Sequence, residues 1–264
     1  MHSDIPDNHP RAASLRLRAA IEAGRESGLV APAGPIAHGR GEAYDYLLGE
    51  ATPPCVAADV RVAAALLVRA QRPVISVNGN AAVLCPAALV ELSKAVPAPL
   101  EVNVFYGRTE EREAKLAAHL RAHGADRVLG VDAQAKVPNL FSARGRVDKD
   151  GIAVADLVVV PLEDGDRTQA LVAMGKTVLS IDLNPLSRSA RSATLNLCDN
   201  LVRVVPLLSA AVAELRAAPD EAARLAATVD NARSTAAVLA FLRDRLDGLA
   251  RGIAADAGGT PPGR

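Results

Sequence analysis

Short apolar runs that break off into polar clusters alternate with Ala- and Leu-rich stretches of helical spacing, and no other feature of the chain restricts its fold as much. Pro73–Val77, Leu100–Phe105, Arg127–Gly130, Ala153–Pro161, Thr177–Ile181 and Thr194–Cys198 read as strands. Asp59–Ala70, Pro86–Ala95, Glu110–His123, a helix capped by Asp166 and running to Met174, and Leu201–Leu215 read as helices. A strand buried on both faces shows a continuous apolar run, and AVADLVVVP is the clearest case. Strands separated by helices at this spacing imply an α/β fold: a parallel sheet with helices on both faces, here with a helical N-terminal segment and C-terminal helices added.

In such sheets, ligands sit beyond the carboxyl ends of the strands. The chain's unusual polar clusters fall there: Asn78-Gly79-Asn80, Glu163 to Arg167, Asp182-Leu183-Asn184 with Arg188, and Asn200. Each also has a local explanation. Asp182–Asn184 suits an Asx-type turn with a surface arginine beyond it. Glu163, Asp164 and Asp166 serve as caps and a solvated turn about as well as they coordinate Mg²⁺ or orient an amine. Independent solvated loops have no reason to crowd one sheet edge, so together the clusters point to a shared site.

Before the first strand, Arg11 to Ser27 reads as a helix with Pro10 at its first position. Arg11, Arg18 and Arg25 recur every seven residues beside its apolar face, which either wets the helix or sends one arginine into a cleft. After a Pro/Gly-rich turn, IAHGRGEA opens a short helix ending at Leu48. Glycines on both sides of Arg40 suit close approach of backbone to an anion, with helix-start N–H groups to receive it. The alternative is a glycine-flanked turn with an exposed Arg, and neither GxGxxG nor GxxxxGK[ST] is present. His119 and His123 lie four apart but lack the acid of an HExxH site, so they read as a solvated helix face. Residues 131–152, with Phe141 as the one aromatic anchor, form the longest irregular stretch, of the kind used as a lid or contact surface. Leu239, Leu242, Leu246, Leu249 and Ile253 make a helical seam for the domain or a second subunit, ahead of an expected disordered tail at 256–264.

Composition removes several function classes. Thirty acids balance thirty bases, which leaves no electrostatic footprint for nucleic acid or an anionic membrane. With no Trp, three Phe and three Tyr, base-stacking platforms are hard to assemble. No run of about 18 apolar residues spans a bilayer, and the charged first thirty residues do not read as a signal peptide. Cys55, Cys85 and Cys198 are odd in number, without a CxxC pair, as fits a reducing cytoplasm.

The assembled motifs resemble the archaeal-type phosphopantothenate synthetase family, the 4-phosphopantoate–β-alanine ligases. The stretches that carry the resemblance are IPDNHPRAASLRLR, IAHGRGEAYDYLLGE, PVISVNGN, EVNVFY, ADLVVVPLEDGDRTQALVAMGK and IDLNPLSRSA, followed by DN at 199–200. They run in order from Ile5 to about Leu208, so residues 1–208 are expected to form the ligase domain and 209–255 a helical extension. Two positions depart from the family's pattern: Pro35, where Leu is expected, and Ser189, where Thr is usual.

The resemblance implies a Rossmann-like sheet, a cytoplasmic homodimer and a place in coenzyme A biosynthesis. Its reaction joins 4-phosphopantoate to β-alanine through an acyl adenylate, splitting ATP to AMP and diphosphate with Mg²⁺. By the same resemblance, ATP should meet Arg18, Arg40, Asp182, Leu183, Asn184, Arg188, Ser189, Asn200 and Leu201. His38, Asn78, Asn80, Glu163, Asp164 and Asp166 are the candidates for phosphopantoate, β-alanine or the metal, whose ligands the sequence does not assign. A nicotinamide-dependent oxidoreductase would use a similar sheet but needs a glycine fingerprint that is missing here. A non-catalytic nucleotide sensor is the other rival, and it gives no reason for so many polar strand ends.

Overall fold

The computed structural model of the protein describes residues 5–104, 109–140 and 145–258. Three helices, α1 (Ala12–Glu26), α2 (Gly34–Leu48) and α3 (Pro54–Arg69), precede the first strand, β1 (Pro73–Val77). There follow α4 (Gly79–Leu84), α5 (Pro86–Ala95), β2 (Leu100–Val102), α6 (Thr109–Ala122) and β3 (Val128–Leu129). A small antiparallel pair, β4 (Ala135–Lys136) and β5 (Arg146–Val147), stands apart from the main sheet. The second half runs β6 (Leu157–Pro161), α7 (Gly165–Ala173), β7 (Thr177–Ile181), α8 (Arg188–Ser192), β8 (Leu195–Leu197), α9 (Leu201–Arg216), α10 (Pro219–Ala226) and α11 (Asn231–Gly258).

The six main strands are all parallel and ordered β3-β2-β1-β6-β7-β8. From β1 the chain moves outward through β2 to β3, then returns to the other side of β1 and moves outward again through β7 to β8. The order therefore reverses between β1 and β6, where two neighbouring strands send their connections to opposite sides and leave a crevice. Ile75, Val77, Val159, Leu179 and Ile181 point to one face, into a core shared with α3, α4, α5, α6, α9 and α10. Val74, Val158, Val160 and Val178 point to the other, under α7, Val137, Val147, Ile152 and Ala155. Both faces being covered explains why the strands read as unbroken apolar runs.

Several sequence expectations shift. The first helix begins at Ala12, past Pro10. The stretch 131–152 holds the β4–β5 pair, and Val137, Val147 and Ile152 in it are buried core; the strand end at Phe105 and the anchor Phe141 fall outside the described residues. α9 runs unbroken across positions 208 and 209, so the sequence-based boundary there is not a break in the fold. α11 continues to Gly258, three residues into the expected tail. On its seam, Leu242 packs beside Leu48, Val56, Leu183 and Val238, whereas Leu239, Leu246, Leu249 and Ile253 are exposed.

Candidate functional site

A cavity of about 370 Å³ opens over the crevice between β1 and β6, at the carboxyl edge of the sheet. Asn78 and Gly79 line it from the end of β1, Leu162, Glu163 and Asp164 from the end of β6, Leu183 from the end of β7, and Asn200 and Leu201 from the start of α9. His38, Arg40, Gly41 and Glu42 of α2 close one side; Asn80, Asn103, Val104 and Arg112 line it as well. Of the sequence candidates, His38, Arg40, Asn78, Asn80, Glu163, Asp164, Leu183, Asn200 and Leu201 thus converge on one space. Arg18, Asp182, Asn184, Arg188, Ser189 and Asp166 do not line it.

The strand ends are held rigidly. Asn78 caps α4, accepting the Ala81 N–H at 3.0 Å, while its amide donates to the carbonyls of Pro161 at 2.9 Å and Leu162 at 3.0 Å. One side chain therefore stitches the end of β1 to the end of β6. Leu162 sits at φ +51°, a left-handed conformation that costs a non-glycine residue of order 1–3 kcal/mol. Gly79 is forced by close approach, because a Cβ there would lie 2.4 Å from the Leu29 carbonyl oxygen. Asn80 donates to the Gly34 carbonyl at 2.9 Å, tying α4 to the start of α2.

The Glu163–Arg167 turn combines a buried ion pair with an open lip. Arg167 is fully buried, pairs with Glu163 and donates to Ser76 at 2.9 Å, so it spans from α7 to β1. Glu163 also receives the Asp164 N–H at 2.9 Å. The position before α7 is held by Asp164, and Asp166 lies inside the first turn, so the expected Asp166 cap is corrected by two residues. The exposed Asp164 remains at the lip.

The β7–α8 turn is an Asx turn whose groups bond mainly to one another. Asp182 accepts the Asn184 N–H at 2.9 Å and the Ser187 hydroxyl, and Asn184 in turn accepts the Leu186 N–H at 2.9 Å. Burial raises the Asp182 pKa above the usual carboxylate value, against the pull of those hydrogen bonds and of Arg40 nearby. Ser189 is buried and donates to the Glu163 carbonyl, which pins this turn to its neighbour. Arg188 is exposed and bonds Gln169 at 2.8 Å.

α2 differs most from its sequence reading. It starts at Gly34 with Pro35 in the first turn, so Gly39 and Gly41 lie in the helix interior and offer no helix-start N–H groups. The physical reason is Pro35 itself, whose fixed φ starts a helix and needs no N–H partner there. A Cβ on Gly41 would meet Leu183 Cδ1 at 3.5 Å, an ordinary contact, and one on Gly39 would meet nothing within 4 Å, so packing requires neither glycine. Arg40 is exposed on α2 at the cavity, with no hydrogen bond or ion pair to any described residue. His38 lines the same cavity, its Nε2 buried without a partner, and burial lowers its pKa.

Behind α2 lies a second cavity of about 490 Å³, sharing His38 and Glu42 with the first. Arg18 lines this one. Its Nε meets both Glu42 oxygens, at 2.9 and 2.8 Å, and Tyr46 donates to Glu42 at 2.6 Å. Burial works against the Glu42 charge, yet the Arg18 and Tyr46 hydrogen bonds hold its pKa below the usual value.

The start of α9 carries a network that sequence reasoning overlooked. Arg203 reaches both Asp199, at 2.9 Å through Nε, and Asp45 of α2, while Asn200 donates to Asp45 at 2.8 Å. The Asn200 N–H is taken by Asp199 and its Oδ1 caps Val202. Asn103 and Arg112 were missed as cavity residues too. Both follow β2, which places them at the same sheet edge as the other clusters. His119 of α6 places its Nε2 3.1 Å from the Ala82 carbonyl, and the exposed His123, just past the helix, places Nδ1 2.9 Å from the His119 carbonyl.

Comparison with known proteins identifies the family of the chain. Residues 55–245 match the family described as phosphopantothenate/pantothenate synthetase. A protein of Thermococcus onnurineus named 4-phosphopantoate–β-alanine ligase is 48% identical over 94% of this chain and 95% of its own length. Proteins of the same name from Thermococcus kodakarensis (48% identical; 94% of this chain, 95% of its own) and Methanosarcina mazei (42%; 94% and 98%) match as fully. With the profile covering most of the chain and these relatives nearly all of it, the chain belongs to the phosphopantothenate/pantothenate synthetase family.

Proposed function

We propose that this protein is the ATP-dependent ligase that joins 4-phosphopantoate to β-alanine, forming 4′-phosphopantothenate, AMP and diphosphate in coenzyme A synthesis. One observation carries the placement of the reaction: the polar strand ends and Arg40 surround a single cavity at the point where the strand order reverses. In the first step a phosphopantoate carboxylate oxygen attacks the α-phosphorus of ATP and diphosphate leaves. In the second, the β-alanine amine attacks the acyl carbon and AMP leaves.

The residues suit these demands. Negative charge growing on the phosphates requires cations and N–H dipoles already in place. Arg40, half a turn from Glu42 and beside the Asp182 turn, supplies the cation, and the first turn of α9 supplies the positive end of a helix dipole at Leu201. Leu183, carried on the rigid Asp182–Asn184 turn, forms the nucleoside wall. Asp164 at the lip is the carboxylate that would help hold Mg²⁺, which usually meets nucleotide sites through one or two carboxylates together with substrate phosphates and would neutralise charge there. Arg18, committed to Glu42, fixes the wall between the two cavities.

The test is a product assay. Purified protein with ATP, Mg²⁺, 4-phosphopantoate and β-alanine should release AMP only when both substrates are present, while 4-phosphopantoate alone suffices for one equivalent of diphosphate. ADP as the product, or no substrate-dependent AMP, overturns the proposal. The homodimer implied by the family is proposed through the exposed stripe of α11, which light scattering of Leu246→Glu/Leu249→Glu would convert to a monomer.

A further inference from the structure

Two arginines line the cavity, one toward each side of the β1–β6 crevice. Arg40 stands with Leu183 and the start of α9, on the β7 side of the crevice. Arg112 of α6 stands with Asn103 and Val104, just past β2. β2 and β7 are three strand spacings apart, about 14 Å, with the β1–β6 crevice between them. The Arg112 guanidinium is oriented by its Nε, which donates to the Gly28 carbonyl at 3.2 Å, at the foot of the loop that forms one cavity wall. Asn103 beside it is buried and donates to the Arg146 carbonyl at 3.2 Å, so this end of the cavity is polar and fixed.

The proposed reaction must hold two phosphate groups that cannot share a place. The substrate's carboxylate has to reach the α-phosphorus of ATP. Its own phosphate, at the opposite end of the molecule, then points away from the nucleotide. A monoester dianion is best read by a guanidinium, which can present two parallel N–H donors to it. Resting on the ligase reading, we propose that Arg112 binds the phosphate of 4-phosphopantoate at the end of the cavity remote from ATP. It thereby sets the preference for phosphorylated over unphosphorylated pantoate, with Asn103 and Asn80 as neighbouring polar contacts. No sequence motif named this residue, since it lies on a charged helix that reads as solvated.

The experiment compares Arg112→Ala and Arg112→Lys with the wild type, using 4-phosphopantoate and pantoate as alternative substrates in the AMP assay. In Arg112→Ala, KM for 4-phosphopantoate rises about 10- to 100-fold while KM for ATP stays within about twofold. The kcat/KM ratio of 4-phosphopantoate to pantoate falls by the same factor, and Arg112→Lys recovers part of it. An unchanged ratio overturns the proposal, as does a raised KM for ATP with phosphopantoate unaffected. Should the alanine variant fail to fold, Arg112→Lys must still lower the ratio, because a lysine keeps the charge but loses the fork. Wild-type protein that makes no AMP with either substrate would instead overturn the ligase reading beneath it.

Discussion

Arg40 and Ser189 show how differently two residues of one motif set can act. Arg40 is exposed and unengaged by any described residue, so Arg40→Ala should leave stability within about 0.5 kcal/mol. Its loss should still cut kcat by about 100-fold or more, since a charge-stabilising donor is removed from the phosphates. Steady-state AMP release together with a melting curve separates the two effects, and unchanged turnover would take Arg40 out of the site. Ser189 is the reverse case. Its buried hydroxyl bonds the Glu163 carbonyl, so Ser189→Ala should cost about 1–2 kcal/mol in urea unfolding. Ser189→Thr keeps the hydroxyl and should retain most of that contact.

At the scale of elements, two attachments determine whether the cavity keeps its shape. Arg203 neutralises Asp199, which is 0% exposed, and Asp45, which is 5% exposed, and so clamps α9 to α2. Arg203→Met would strand both carboxylates and should cost about 3–5 kcal/mol, visible as a large fall in denaturation midpoint. Glu101 of β2 holds the chain after β5 by accepting the N–H groups of Asp148 at 2.9 Å and Ile152 at 2.7 Å. Gly151 is needed there, since a Cβ would meet Glu101 Oε2 at 2.0 Å. Burial raises the Glu101 pKa from 4.5 to about 7, against those two hydrogen bonds. The native state therefore binds more protons than the unfolded chain across that window, so this group's contribution is full below pH 4.5 and is lost as pH rises through 7. Relative to Glu101→Gln, the wild type should lose about 1–3 kcal/mol between pH 5 and 8. A flat difference in urea midpoints would show that Glu101 does not titrate there. The strands were legible because burial on both faces leaves an unbroken apolar signature, as at Thr177–Ile181. The start of α2 was not, because Gly39 and Gly41 mimic a turn although both lie inside the helix that Pro35 starts.

Across the whole molecule, the strand order sets the position of the site. Clusters separated by more than a hundred residues in sequence, from Asn78 to Leu201, meet because the chain leaves the sheet centre in both directions. The sequence shows which residues end strands, but not which strands are neighbours. Hence Asn78 and Leu162 were both legible as strand ends, while the hydrogen bonds joining them were not. The same limitation concealed Arg112, whose helix is far from Arg40 along the chain and across the sheet. Leu162, at the crevice with its left-handed backbone, carries a consequence for anyone who evolves this protein for heat tolerance. Glycine there would relieve a strain of about 1–3 kcal/mol but give up a half-buried side chain packed on the main core, so a screen on stability alone will pass over Leu162→Gly. The strained backbone is thus held in place by the same side chain that walls the cavity, and heat-tolerant descendants should keep both.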